Sequence, residues 1–211
     1  MASPQSLTAA QRRVVAAWAA DCAEHVLALF LADAPTDDRP RALLERTRAF
    51  ARGELSTAEE IRRRFTGGVG AGDVRAPAPA AAARAAGQAV AVCQTGAHAL
   101  GAAAYAARAV GLADPGRPQA VHEEVQWQLD HTSVEVREAL RALPPAGHDR
   151  AGPLGPGLLT TGPLGSIVQE LQARAAGPAP DAPGTAAARA EGYPYEASLP
   201  ASSSLGSLRE R

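Results

Sequence analysis

The chain has 211 residues, of which 46% are hydrophobic, with 21 basic and 22 acidic side chains and a net charge of −1. A core of about 145 residues buries roughly 68 to 70% of its unfolded surface, so no disulfide staple is required, and Cys22 and Cys93 read as small buried hydrophobes in a reducing cytoplasm. Every basic residue is Arg and the two signs are interspersed, which removes the electrostatic footprint expected for nucleic acid.

In chain order, Thr8 and Gln11 form a capping box, and Val15, Trp18, Ala19, Cys22, Val26, Leu29 and Phe30 follow as one apolar stripe of helical period. This predicts a first helix over residues 9–32. Arg12-Arg13 ahead of a short apolar run resembles an export signal, but Asp21, Glu24 and His25 interrupt it too soon. Pro35 and Thr36-Asp37-Asp38 end the helix, and Asp38 is expected to cap a second one with Pro40 in its first turn. Its buried side is Leu43, Leu44, Thr47, Phe50 and Ala51, and Gly53 closes it.

Ser56 and Glu59 predict a further capping box for a short third helix ending before Gly67, with a loop from Gly67 to Pro79. The Ala-rich run that follows reads as two closely packed helices breaking near Thr95-Gly96, the second capped by Thr95. Arg84, Gln88, Gln94, His98 and Arg108 interrupt the run, so no membrane span is expected. After a turn over Gly111–Arg117, Val121, Val125 and Leu129, then Val136, Leu140 and Leu143, continue the helical period. Thr132-Ser133 caps the last of these, and Pro144-Pro145 stops it. The expected fold is all-α, a compact bundle of about six to seven helices by that pattern, over residues 8–145.

From 146 to 211 the composition shifts to Gly, Pro, Ala and Ser, which predicts a largely disordered tail. Within it Leu164, Ile167, Val168 and Leu171 repeat at helical spacing, giving a short amphipathic helix at 163–175. Either the domain's own surface or a partner must cover its apolar face, and the domain is preferred.

No catalytic motif is present. Cys22 with His25 and Cys93 with His98 lack the geometry that presents zinc ligands together, so neither metal nor cofactor is expected. His122, Glu123, Glu124 and His131 read as a solvated helix face, and the glycines at 67, 68, 70 and 72 form no phosphate loop. Trp18 and Trp127 are both expected in the core. Asp21 and His25 lie on the flank of the first stripe with Glu24 pointing away, a network that orients helices or a partner-facing acidic patch.

Trp18-Ala-Ala-Asp21-Cys22-Ala-Glu24, Asp38-Arg39-Pro40-Arg41, Ala85-Ala-Gly87-Gln88-Ala-Val-Ala and Ala97-His98-Ala-Leu-Gly101-Ala-Ala-Ala-Tyr105-Ala occur in that order, with Trp127-Gln128 before a last helix. Over residues 12–143 the chain resembles the immunity proteins of bacterial toxin systems, the immunity-protein-five-like family widespread in actinobacteria. The stretch from Gly67 to Arg75 departs from that family, and the tail has no counterpart in it. The resemblance implies a cytoplasmic antitoxin that binds a cognate toxin without catalysis. It singles out Asp21, Glu24, Arg39, Arg41 and His98 as residues that contact the partner or hold the helices together. The competing reading is a helical scaffold or regulatory interaction module with no toxin, and an enzyme stands third. The sequence names neither the partner nor an oligomeric state.

Overall fold

A computed structural model describes residues 3–59 and 76–177. Every regular element among them is helical. A short 3-10 turn over Pro4–Ser6 precedes α1 (Ala9–His25), α2 (Leu27–Asp33), α3 (Arg39–Ala51), α4 (Pro77–Ala91), α5 (His98–Ala113), α6 (Ala120–Asp130), α7 (Val134–Arg141) and α8 (Gly162–Ala176). The compact unit runs from Met1 to Ala179.

Small side chains decide the centre of this fold. In α5, Ala99, Leu100, Gly101, Ala102 to Ala107 and Ala109 are all buried, so this helix is enclosed on nearly every side. A helix apolar all round belongs in the middle of a core. It forms a hairpin with α4, whose own buried face is almost entirely alanine, and α1, α6 and α8 close around it. Trp18, Phe30, Leu44, Leu100, Leu154 and Leu171 are the large side chains that fill what the alanines leave open.

The first predicted helix is broken. Val26 leaves helical dihedrals at φ −106° and ψ 3°, and α1 and α2 meet at a 44° bend. The bend turns Leu27 and Phe30 onto α4 while the hydrophobic period runs through it unchanged, which is why the pattern concealed it. No single described helix is long and apolar enough to cross a membrane.

Capping differs from expectation at two starts. Asp37, not Asp38, accepts the N–H of Arg39 at 3.1 Å, while Asp38 turns its carboxylate to Arg41. At α5 no side chain caps, and the carbonyl of Thr95 receives the N–H of His98 in a tight turn. The capping boxes at Thr8 and Ser56 and the Ser133 cap form as predicted, and Gly53 closes α3 at φ +81°. Helix α4 begins at Pro77, inside the expected loop, and α5 runs on to Ala113, three residues into the expected turn. The third predicted helix beyond Glu59, the loop up to Arg75 and the tail from 178 lie outside the described residues.

The largest correction concerns the C-terminal boundary. Residues 146–162 were expected as disordered tail, yet Leu154 and Leu159 are buried in the main core, while the helix expected at 163–175 forms and buries Ile167, Val168, Leu171 and Ala175 there. Gln5, buried at the opposite end of the chain, holds this segment by its side-chain amide. Its Nε2 donates to Asp149 Oδ2 at 2.6 Å and to the Ala151 carbonyl at 2.7 Å, and its Oε1 accepts from the Leu154 N–H at 2.9 Å. The apolar face of α8 is therefore spent on the domain itself, against α5, α6 and α7. Glu170 adds bonds to His122 at 2.7 Å and to Arg174 at 3.0 Å.

Candidate partner-binding surface

Residues 124, 127, 128 and 131 recur at helical spacing on α6 and its C-terminal turn, so they share one side of the element. The structure splits that side by depth. Glu124 and Gln128 are buried, Trp127 is half-buried and His131 is exposed. The expectation of a solvated face fails at Glu124, and the expectation of a core position fails at Trp127.

The buried layer is polar and, Gln128 Oε1 apart, bonded. Trp18 Nε1 donates to the Gln128 carbonyl at 2.9 Å, tying α1 to α6. The Gln128 amide donates to Glu124 Oε1 at 2.8 Å and to the Ala103 carbonyl of α5 at 3.1 Å. Glu124 Oε2 then accepts from His25 Nδ1 at 2.8 Å. A carboxylate taken out of water needs such partners, and here they fix the His25 ring.

That ring lies flat on Trp127, with centroids 3.6 Å apart and planes 11° apart. His131 covers Trp127 as well, at 4.1 Å and 30°, and donates from Nδ1 to the Trp127 carbonyl at 2.7 Å. The three rings form one stack at the surface, each of the outer two held by a hydrogen bond. Stacked aromatic pairs contribute about 0.5–1.5 kcal/mol beyond their buried area.

Asp21 and Glu24 border the stack. Both bind Arg48 of α3, at 2.8 and 2.5 Å, so Glu24 does not point away from the network but closes it. A cavity of about 310 Å³ is lined by Asp21, Glu24, His25, Trp127 and His131. On one side it shares Asp21 and His131 with a cavity of about 480 Å³ that reaches Trp18 and Glu135. On the other it shares His25 and Trp127 with one of about 240 Å³ reaching Glu123 and Arg117.

Cys22 belongs to this helix but not to this surface. Its thiol is buried, and burial first, then the nearby Glu124 and Asp21 carboxylates, push its pKa well up. A protonated thiol is a poor nucleophile. No described group of three or more His, Cys, Asp or Glu side chains is arranged to hold a metal ion.

Of the five residues singled out in the sequence, only Asp21 and Glu24 come together. Arg39 makes a two-toothed pair with Asp37, at 2.9 Å from Nε and 2.6 Å from Nη2, and its guanidinium holds the Asp37 carboxyl below its usual pKa. Arg41 pairs with Asp38 on an exposed turn at 2.8 Å. His98 faces Gln88 Oε1 at 2.8 Å between α4 and α5. Arg48, Glu124, Gln128 and the stacking role of Trp127 and His131 went unrecognised. The period over 124, 127, 128 and 131 carried the signal for the last four, whereas Arg48 carried none.

The whole of this surface except Glu135 and Val136 at its edge comes from α1, α3 and α6 and their flanking turns, with α5 beneath. A family model described as Imm-5 like putative immunity protein matches residues 5–135, from the buried Gln5 to the start of α7. No curated protein and no solved structure matches the chain. The matched region takes in the ring stack, its buried polar support and the Arg48 network, and exceeds half of the sequence; the chain belongs to the Imm-5 like immunity protein family.

Proposed function

We propose that this chain is the antitoxin of a bacterial toxin system, and that it neutralises a cognate toxin in the cytoplasm by binding it, without chemistry of its own. The family supports a protein partner in general. The observation that carries the choice of surface is the His25–Trp127–His131 stack, a half-buried aromatic platform whose outer rings are already fixed by hydrogen bonds. Aromatic anchors dominate binding energy at protein interfaces, and a platform ordered in advance loses little freedom on binding.

Asp21 and Glu24 share the single guanidinium of Arg48 beside the stack, two carboxylates to one cation. The complementary surface on the toxin is accordingly basic. The test is growth rescue of cells expressing a toxin encoded beside this gene, with binding measured on the purified pair. The wild-type chain rescues growth, and His131→Ala weakens binding at least about tenfold, as expected for loss of an interface anchor, with its melting temperature retained. Wild-type affinity in both His131→Ala and Trp127→Ala refutes this surface. Self-association of the purified chain with no toxin bound replaces the antitoxin reading with the scaffold one.

A further inference from the structure

A second groove lies where the C-terminal segment meets the α4–α5 hairpin. Its volume is about 530 Å³, within the range of roughly 300–1,000 Å³ typical of small-molecule sites. Pro77, Ala81 and Arg84 reach it from one side of α4, Tyr105 and Arg108 from one side of α5, and residues 161–164 from the first turn of α8. Among the described residues no acidic side chain lines it.

Three features there have no partner among the described residues. Arg84 and Arg108 make no hydrogen bond or ion pair among the described residues, unlike Arg48, Arg52, Arg117 and Arg174, which all pair with carboxylates. Tyr105 is only 8% exposed, yet its hydroxyl has no hydrogen-bond partner among the described residues and is not sealed in, so it opens into the groove. The fifteen-residue helix α8 has no side-chain cap, because Thr161 gives its hydroxyl to the Gly157 carbonyl instead. Unsatisfied N–H groups at a helix start favour an anion, and arginine matches a carboxylate with two parallel donors.

The remainder of the lining is apolar. Leu158, 72% exposed, projects at the rim beside Leu112 and Leu164. We propose that this groove binds an organic carboxylate, its anionic end held by Arg84, Arg108, the Tyr105 hydroxyl and the α8 N-terminus, and its apolar body lying on Leu112, Leu158 and Leu164. The α4 and α5 walls fall within the family match and the α8 wall beyond it, so the C-terminal segment completes the site. The proposal is independent of the toxin reading.

The full-length, isotope-labelled protein is titrated with 4-phenylbutyrate, with 4-phenyl-1-butanol as the uncharged body, with acetate as the charge alone, and with phenyl phosphate. Signals of the Gly162 and Leu164 amides and calorimetric heats are followed. The carboxylate with its apolar body saturates the site at least about tenfold more tightly than the alcohol or acetate, as charge-assisted hydrogen bonds and apolar burial together require. Arg84→Gln and Arg108→Gln each weaken it about tenfold with the melting temperature unchanged, and Tyr105→Phe weakens it less. No saturation, equal binding by acetate, tighter binding by phenyl phosphate, or indifference to both arginine substitutions overturns the proposal.

Discussion

Replacing His98 with Gln should change how stability responds to acid. His98 opens α5 with Nδ1 at 2.8 Å from Gln88 Oε1. An amide oxygen only accepts, so Nδ1 carries a proton and donates it to Gln88. Burial opposes the imidazolium and lowers the His98 pKa from 6.5 to about 4. Above pH 6.5 the ring is neutral in both folded and unfolded chains and the folded state loses nothing. As the pH falls below 6.5 the unfolded chain takes up a proton that the folded chain refuses, and stability declines until pH about 4, where the folded chain binds it too. The span from 6.5 to about 4, at about 1.36 kcal/mol per pH unit, amounts to roughly 3 kcal/mol, of which about 2 kcal/mol is gone by pH 5. His98→Gln keeps a donor for Gln88 and removes the titration. Urea unfolding followed by tryptophan fluorescence between pH 7.5 and pH 5 should therefore show the wild type losing about 2 kcal/mol more than the variant by the same linkage. Parallel pH profiles for the two proteins would refute the argument.

Three further outcomes test the architecture. Leu171→Ala empties a fully buried position on α8 and should cost about 2–5 kcal/mol in chemical unfolding; a loss too small to measure would return α8 to the tail. Trp18→Phe removes the donor to the buried Gln128 carbonyl and should cost about 1–3 kcal/mol, with the His25 ring signals shifting in NMR because α6 carries its partner Glu124. Asp21→Ala and Arg41→Ala break exposed ion pairs, which contribute little in water. Each should leave the melting temperature within error of the wild type, and a drop of several degrees for either would show that these pairs are structural.

Sequence by itself determined the helical class, the caps at Thr8, Ser56 and Ser133, the buried faces of α3 and α8, and the family, because each rests on residues close together in the chain. Local hydrogen bonding and a 3.6-residue period are legible over a dozen residues. The 44° bend at Val26 was not, since a change of direction leaves the period intact. Nor was the place of residues 146–162. Their Gly- and Pro-rich composition argues for disorder, and what orders them is a buried Gln5 lying 144 residues before Asp149. Only the tertiary structure decided which charges meet. Asp21 found Arg48, Glu124 went inward beneath a helix face that reads as polar, and Trp127 came to stack with two imidazoles. Helical periodicity assigns a residue to a side of its own helix; what that side faces depends on how the other helices cross it.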